Sequence, residues 1–190
     1  MTRPIMKDFP NEFNTKRLFI RLPKPGDGEQ VYEAIKKSKE ELKLWMPFAQ
    51  QEQTMEDVEA NVREANAAFL KREDLRLHIF NRETKEFIGC TGLHRMDWDV
   101  PKFEIGYWID TQFSGQGYMT EAVQGVTDFA FRELKANRLE IYCDANNLNS
   151  RAIPERLGYT LEGILKNHER SVNQKELRDT CIYAKVSENL

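Results

Sequence analysis

The residues best suited to chemistry in this 190-residue chain form a turn that ends at Gly115-Gln116-Gly117. Glycine adopts backbone conformations that other residues avoid, so several N–H groups of the turn can point toward one position. The apolar spacing after Gly117 predicts a helix, and the first N–H groups of a helix are unpaired and electropositive. A phosphate or pyrophosphate is therefore the ligand that this turn favours.

Two common phosphate-binding motifs do not match the turn. A dinucleotide-binding fingerprint has a third glycine three residues after the second, where this chain has Thr120. A nucleotide P-loop ends in Lys followed by Ser or Thr, and no such pair follows Gly117. The turn alone thus predicts an anion site without identifying its ligand.

Strands and helices predicted on both sides position this turn. Alternating or continuous apolar residues predict strands at 17–22, 75–81, 87–96, 102–110, 138–143, 159–165 and 177–186. Helical spacing predicts a helix capped by Asp27 and a helix from the capping box Thr54-Met-Glu-Asp57 to about Arg72. It also predicts helices over 117–134 and over 149–157, the second ended by Gly158.

The order of these elements, β-α-α-β-β-β-α-β-α-β-β, predicts one α/β (α+β) domain with a mixed, mostly antiparallel sheet. Parallel pairing is expected only at the strand–helix–strand crossover around the 117–134 helix. The chain has no internal repeat and no linker rich in Pro, Gly or Ser. A single domain over 1–190 is therefore expected, with its core at about 15–187.

Composition argues against several functional classes. The net charge of −3 and the pI of about 5.8 give no overall basic field for nucleic acid. The apolar runs are much shorter than the ~20 residues of a membrane span, and residues 1–9 lack the apolar region of a signal peptide. A cytoplasmic protein without nucleic-acid or membrane partners is expected. Cys90, Cys143 and Cys181 are far apart in apolar segments, which predicts free buried thiols and no metal site.

Three segments of the chain resemble motifs of a known family. Glu104-Ile-Gly-Tyr-Trp-Ile-Asp110, followed by Gln112-Phe-Ser-Gly-Gln-Gly117, is similar to the strand and pyrophosphate loop of the GNAT superfamily of N-acetyltransferases. Asn147-Leu-Asn-Ser-Arg-Ala-Ile-Pro-Glu-Arg-Leu-Gly-Tyr159 is similar to a later motif. Leu161-Glu-Gly-Ile-Leu-Lys-Asn-His-Glu169 resembles the branch that acetylates ribosomal-protein N-termini at serine or alanine. The resemblance extends over about 18–186, with departures at Arg156, Tyr159 and Pro154. Pro154 is expected near the first turn of its helix, where a missing N–H is tolerated.

The resemblance implies a V-shaped splay between two central parallel strands, helices on both faces of the sheet, and acetyl-CoA as acyl donor without a metal. The residues implied to bind acetyl-CoA are Trp108, Ile109, Gln112, Gly115, Gln116, Gly117, Tyr118, Met119, Thr120, Asn147 and Ser150. Asn147 matches an asparagine that contacts the pantetheine arm, with Asn146 as an adjacent competitor. The alternative is that either asparagine only caps the short helix.

Two catalytic residues are implied by the resemblance. Ser150 matches a serine near the thioester sulfur, whose hydroxyl donates to the departing thiolate; the alternative is a serine that merely lies in the first turn of a helix. Glu169 matches the candidate general base of the branch. Glu104 is the rival base, because other branches place a base on that strand, and the remaining alternative is that neither carboxylate acts.

The implied reaction is transfer of an acetyl group from acetyl-CoA to a primary amine by direct attack in a ternary complex. The expected acceptor is the N-terminal α-amino group of a protein, a ribosomal protein being one candidate. An α-amino group has a pKa of about 7.7–8.0, so a weak base is sufficient at neutral pH. A small-molecule amine or antibiotic N-acetyltransferase and a non-catalytic acyl-CoA-binding module remain as alternatives. By analogy with the branch, a homodimer through the last strands is a further candidate assembly.

Overall fold

The computed structural model of the protein describes residues 3–187 and is built around an eight-stranded sheet. The strands are β1 (Glu12–Asn14), β2 (Leu18–Arg21), β3 (Leu75–Asn81), β4 (Phe87–Asp97), β5 (Lys102–Ile109), β6 (Arg138–Asp144), β7 (Thr160–Arg170) and β8 (Leu177–Val186). The α-helices are α1 (Gly28–Lys37), α2 (Lys39–Leu42), α3 (Met55–Lys71), α4 (Tyr118–Arg132) and α5 (Leu148–Arg156). The order of strands across the sheet is β1-β2-β3-β4-β5-β6-β8-β7.

The predicted mixed sheet is confirmed. β5 and β6 pair in parallel, and the other neighbouring strands pair antiparallel. The parallel pair is the one that α4 connects, because a helix is the usual way to return a chain to the same end of a sheet. In the part of the chain that the structure describes, every helix is too short or too polar to cross a bilayer.

Helices cover both faces of the sheet. On one face, α4 packs its apolar stripe, including Val123 and Val126, into the larger hydrophobic cluster of the molecule. A smaller cluster joins α1 and α3 to the sheet, with Val31 and Val62 packed near Phe87. The three cysteines are free and buried, as predicted.

The central parallel pair opens into a wedge. β5 and β6 pair only from Lys102 opposite Arg138 to Glu104 opposite Glu140. Both strands continue beyond that point, β5 to Ile109 and β6 to Asp144. The predicted V-shaped splay is therefore confirmed, and it leaves the end of β5 without a parallel partner.

One predicted capping box is confirmed and one predicted cap is wrong. At the start of α3, Thr54 Oγ1 accepts from the Asp57 N–H at 3.1 Å and Asp57 Oδ2 accepts from the Thr54 N–H at 2.9 Å. Asp27 precedes α1, but its carboxylate caps no helical N–H. It accepts hydrogen bonds from Arg21 and the Lys24 N–H and pairs with His78 Nδ1 at 2.8 Å. Tertiary partners therefore compete successfully for a side chain that local preference assigns to a cap.

The two edge strands depart from the sequence prediction. β1 was not predicted, and β7 extends to Arg170 rather than ending at Leu165. β7 is exposed along almost its whole length, and its pairing with β8 shifts at two irregular positions. An edge strand with bulges loses the apolar alternation on which strand prediction depends. The extension brings Glu169 opposite Arg178 of β8.

Candidate active site

The wedge between β5 and β6 leads into two cavities on its two sides. The α4-side cavity, of about 380 Å³, lies against the start of α4, the end of β5 and α5. The β7-side cavity, of about 250 Å³, lies between β5, β6 and the ends of β7 and β8. The residues that line both cavities are Trp45, Met46, Tyr107, Asn147 and Ser150. A molecule in one cavity and a molecule in the other therefore meet at these side chains.

The glycine turn forms the start of α4 at the mouth of the α4-side cavity. Gly115 and Gly117 have φ values of +74° and +78°, in the left-handed region that favours glycine. The first backbone hydrogen bond of the helix runs from the Glu121 N–H to the Gly117 carbonyl. Within residues 3–187, no hydrogen bond is made by the N–H groups of Gly115, Gln116, Gly117, Tyr118, Met119 and Thr120. This donor set fits a pyrophosphate, as the sequence predicts.

Arg17 holds the turn in place, and the sequence analysis did not identify it. Its Nε donates to Glu121 Oε2 at 2.6 Å and its Nη1 donates to the Gln116 carbonyl at 3.0 Å. The guanidinium also lies over the Tyr118 ring, 4.3 Å from the centroid. Burial raises the pKa of Glu121, but hydrogen bonds from Thr15 and Arg17 outweigh that effect and lower it overall. The resulting ion pair connects the residue that precedes β2 to the first turn of α4.

Most of the residues predicted to bind acetyl-CoA come together in the α4-side cavity. Those that line it are Trp108, Ile109, Gly115, Gly117, Tyr118, Met119, Thr120, Asn147 and Ser150. Gln112 and Gln116 are outside this lining. The Gln112 side-chain amide donates to Asp110 Oδ2 at 3.2 Å, and the Gln116 side-chain amide donates to the Gln112 carbonyl at 3.0 Å. These two side chains therefore stabilise the turn, and contact with a ligand is left to the Gln116 N–H.

Asn147 caps α5 and also faces the cavities. Its Oδ1 accepts from the Ser150 N–H at 3.1 Å, which is the capping arrangement given above as an alternative. Its position between the two cavities leaves the amide nitrogen available there. Capping and ligand contact are thus compatible, and ligand contact stays a prediction.

Tyr107 and Ser150 form the hydroxyl pair at the junction of the cavities. The Tyr107 hydroxyl donates to the Ser150 carbonyl at 2.9 Å, and Ser150 Oγ donates to the Tyr107 hydroxyl at 3.3 Å. Burial raises the pKa of Tyr107 well above its ordinary value, so the phenol is protonated at physiological pH. The alternation of β5 places Tyr107 on the same face as Ile105, but no sequence signal distinguishes a tyrosine that lines a cavity from one that does not.

Pro154 explains why the Ser150 carbonyl is available to the Tyr107 hydroxyl. The prediction that Pro154 lies near the first turn of its helix is wrong, because it lies toward the C-terminal end of α5. Proline has no N–H, so the carbonyl four residues earlier, that of Ser150, lacks its helical donor. The Tyr107 hydroxyl takes that place.

Both candidate bases line the β7-side cavity, in different surroundings. Glu104 is on β5 at the point where the wedge opens, and its Oε2 is buried without a hydrogen bond. Arg95 Nη1 lies 3.1 Å from that atom as an ion pair. Burial raises the pKa of Glu104 above its ordinary value, although Arg95 and His94 act in the opposite direction. The Glu169 side chain is 59% exposed and lies at the rim.

Arg178 adds a cation that the sequence analysis missed. It lies on β8, lines the β7-side cavity, and forms ion pairs with Asp144 at 3.5 Å and Glu176 at 3.2 Å. Its Nε is buried and has no hydrogen-bond partner in the described part of the chain. No local pattern in a strand indicates which arginine faces a cavity. Across residues 3–187, no group of three or more His, Cys, Asp or Glu side chains is arranged to hold a metal ion.

Comparison with known sequences gives consistent matches. A family model described as an acetyltransferase (GNAT) domain matches residues 17–160. The putative ribosomal N-acetyltransferase YdaF of Bacillus subtilis (strain 168) is 32% identical over 151 residues, which covers 78% of this chain and 80% of that protein. The ribosomal-protein-serine acetyltransferase of Escherichia coli (strain K12) is 28% identical over 156 residues, covering 82% and 85%.

Solved structures share the fold. The crystal structure of a probable acetyltransferase is 27% identical with a TM-score of 0.84, and the match covers 94% of this chain and 98% of that one. A ribosomal L7/L12 α-N-protein acetyltransferase, RimL, solved in complex with coenzyme A, is 24% identical with a TM-score of 0.84, covering 90% and 95%. The wedge, the turn and the two cavities thus lie within a fold that is shared over nearly the full length of these chains.

Proposed function

This chain belongs to the GNAT family of acetyltransferases and is an acetyl-CoA-dependent N-acetyltransferase, and we propose that its acceptor is the α-amino group of a protein N-terminus. The observation that carries the proposal is the wedge after Glu104, which joins two cavities at Tyr107 and Ser150. One cavity has the unpaired N–H groups that suit the donor's pyrophosphate. The other has carboxylates that suit an amine.

The residues of the α4-side cavity fit acetyl-CoA. The N–H groups from Gly115 to Thr120 would hold the pyrophosphate, because a helix N-terminus favours an anion. The end of β5 lacks a parallel neighbour after Glu104, so its free backbone groups would bind the pantetheine arm in the manner of an added strand. When bound, the donor supplies an activated acyl carbon.

The β7-side cavity would take the amine. Glu104 would accept the proton that the amine loses, because it lines this cavity and its pKa, raised by burial, is closer to neutral pH than that of an ordinary carboxylate. Glu169 lines the same cavity and remains the rival base. An α-amino group needs only a weak base, since its own pKa is about 7.7–8.0.

The Tyr107 and Ser150 hydroxyls, which line both cavities, would act on the departing CoA thiolate. Tyr107 is protonated at neutral pH and Ser150 donates to it, so a hydroxyl of this pair can donate a hydrogen bond to the departing thiolate. Both side chains line both cavities, which supports direct transfer between two molecules bound at the same time. A protein acceptor is supported by the relatives named as ribosomal or ribosomal-protein acetyltransferases.

The test is an acetylation assay with mass-spectrometric localisation of the product. The purified chain is incubated with acetyl-CoA and peptides that correspond to ribosomal-protein N-termini, each with an internal lysine. N-terminally blocked copies and a set of small amines, including aminoglycosides, are the controls. We expect acetyl groups on the free N-terminal nitrogen alone. Acetylation confined to small amines, or acetyl-CoA binding without transfer to any amine, would contradict the proposal.

A further inference from the structure

A histidine and an aspartate form a pair next to Glu104. His94 lies on β4, Asp74 comes directly before β3, and His94 Nδ1 lies 2.6 Å from Asp74 Oδ2. An ionised carboxylate only accepts hydrogen bonds, so Nδ1 is the donor and the lone pair of the neutral imidazole is on Nε2. Nε2 makes no hydrogen bond within residues 3–187. Asp74 therefore selects the tautomer in which Nε2 can accept a proton.

His94 and Glu104 are cross-strand neighbours. They lie directly opposite each other in the antiparallel pairing of β4 with β5. Side chains at such positions project from the same face of the sheet, with Cβ atoms about 4.5–5.5 Å apart. Burial raises the pKa of Glu104, and the charges of Arg95 and His94 oppose that effect, so His94 is close enough to act on the carboxyl group. At this separation a proton passes between the two side chains directly or through one water molecule.

The imidazole of His94 lies over Gly106, two residues along β5 from Glu104. A Cβ added to Gly106 would be 3.0 Å from His94 Cδ2 and 3.2 Å from its Nε2. His94 lines a third cavity, the α3-side cavity, which has a volume of about 330 Å³ and lies between α1, α3 and the sheet. This cavity shares Met46, Gly106 and Tyr107 with the β7-side cavity. The position over Gly106 therefore places Nε2 where the two cavities meet.

Glu104 has little contact with solvent, so the proton that it takes from the amine needs a route out of the site. Its side chain is 18% exposed and its Oε2 is buried. Substrates bound in the cavities would exclude water from it further. The His94 side chain is 31% exposed, and an imidazole ordinarily binds a proton more tightly than a carboxylate does. A proton on Glu104 therefore has a more exposed acceptor beside it.

We propose that His94 receives the acceptor's proton from Glu104 and passes it to solvent, with Asp74 as the residue that positions the imidazole. In the first step an N–H bond of the amine breaks as its nitrogen bonds the acyl carbon, and an O–H bond forms on Glu104. In the second step that O–H bond breaks and an N–H bond forms at His94 Nε2, which regenerates the Glu104 carboxylate. The imidazolium, stabilised by Asp74, then loses the proton from Nε2 to water. This inference rests on the proposed function and adds a route for the proton without changing the acceptor.

The first test measures kcat for a peptide with a free N-terminus. It compares the native protein with His94→Gln, with Glu104→Gln and with the variant that carries both changes. Glutamine is polar and similar in size to histidine, but it does not take up a proton near neutral pH. His168→Gln is the matched control, because His168 has a similar side-chain exposure of 35% and lies outside the lining of the three cavities.

We expect His94→Gln to lower kcat by about 10²-fold, the lower end of the contribution of a positioned acid or base, and to leave the KM for acetyl-CoA unchanged. The double variant should be no slower than Glu104→Gln alone, because two groups on one proton route do not contribute independently. His168→Gln should keep the native kcat.

The second test is rescue of His94→Ala by imidazole in solution at about pH 8. Alanine leaves a space next to Gly106 into which an imidazole molecule fits, and we expect kcat to rise with the imidazole concentration. The native protein and a Glu104→Gln/His94→Ala double variant should show no such rise. Pyrazole, which has the same shape but is a much weaker base, is the control and should restore nothing.

Three results would overturn the inference. Near-native kcat in His94→Gln would show that the proton leaves by another route. Losses that multiply in the double variant would show that His94 acts independently of Glu104. Equal rescue by pyrazole and imidazole would show that His94 only fills space. In each case transfer by the native protein would leave the proposed function intact, whereas absence of transfer by the native protein would refute both.

Discussion

Replacement of Glu104 by glutamine tests the reaction most directly. Glutamine keeps the size and shape of the side chain but cannot accept a proton at neutral pH. Because Oε2 is buried and makes no hydrogen bond within residues 3–187, the substitution breaks no hydrogen bond to that atom. The ion pair with Arg95 is lost, although the Arg95 side chain is 68% exposed and remains hydrated. The change therefore removes the base with little disturbance of the site.

The expected loss of kcat/KM in Glu104→Gln depends on what a general base contributes and on how much of the acceptor amine is already neutral. A positioned general base contributes about 10²- to 10⁴-fold, which is about 2.7–5.4 kcal/mol of activation free energy. At pH 7 about a tenth of the acceptor α-amino groups are already neutral, since their pKa is about 7.7–8.0. The base must therefore remove a proton mainly as the bond to the acyl carbon forms. We expect Glu104→Gln to lower kcat/KM by about 10²-fold, the lower end of the range.

The assay measures kcat/KM for a free N-terminal peptide between pH 5 and 9. In the native protein the rate should rise with pH as Glu104, whose pKa is raised by burial, loses its proton. Glu104→Gln should lose this contribution to the pH dependence, keep the rise that comes from deprotonation of the acceptor amine near its pKa of about 7.7–8.0, and keep its affinity for acetyl-CoA. Glu169→Gln is the matched control, because it makes the same change at the other carboxylate of the cavity. A large loss in Glu169→Gln with near-native activity in Glu104→Gln would refute the assignment.

Stability provides an independent check on the same residue. Because burial raises the folded-state pKa of Glu104, the folded protein binds this proton more tightly than the unfolded chain. Its contribution to stability is present below the unfolded pKa of about 4.3 and is lost as the pH rises through the folded-state pKa. Glu104→Gln should therefore unfold at a higher temperature than the native protein at pH 7, and the difference should vanish near pH 4. A destabilised variant at pH 7 would contradict the desolvation argument.

Three further changes have defined outcomes. Gly117→Ala forces alanine to a φ of +78°, at a cost of about 1–2 kcal/mol, so calorimetry should show acetyl-CoA binding weakened by about 5- to 30-fold. The control is Gly26→Ala, which has a φ of +97° but lies outside the turn. It should lower thermal stability and leave the affinity for acetyl-CoA unchanged. Tyr107→Phe removes the hydroxyl that donates to the Ser150 carbonyl. In steady-state assays it should lower kcat by about 10²-fold while the KM for acetyl-CoA stays the same. An equal rise in the KM for acetyl-CoA would assign Tyr107 to binding. Asp27→Asn should destabilise the protein by about 3–5 kcal/mol in denaturant titrations at pH 7, because it breaks a buried pair with Arg21. Burial raises the pKa of Asp27, but hydrogen bonds from Arg21 and His78 lower it well below its ordinary value. The stability that Asp27 contributes is therefore present above its unfolded-state pKa of about 3.9, and the difference in stability between the native protein and Asp27→Asn should shrink as the pH falls below that value. An unchanged difference at low pH would refute this account.

The fold could be predicted well wherever a local pattern coincides with burial. β3 and β8 have the predicted bounds, and the capping box at Thr54 starts α3 as expected. The edge strands could not be predicted with the same success, because an exposed strand such as β7 has no apolar alternation. The cap expected at Asp27 failed for a different reason. A carboxylate has several potential partners, and only the tertiary structure shows that Arg21 and His78 take it.

The candidate site likewise combines features that the sequence predicts with features that only the tertiary structure shows. The sequence alone determined the glycine turn, because a strand, two glycines and a helix start are local features that create unpaired N–H groups wherever the chain is placed. Only the tertiary structure decided that Glu104 Oε2 is buried without a hydrogen bond, that Arg178 lines the same cavity, and that the Ser150 carbonyl freed by Pro154 accepts from the Tyr107 hydroxyl. Desolvation and pairing depend on neighbours that are distant in the chain. A backbone turn carries its chemistry in its own residues, whereas the pKa of a side chain is set by whatever the fold packs around it.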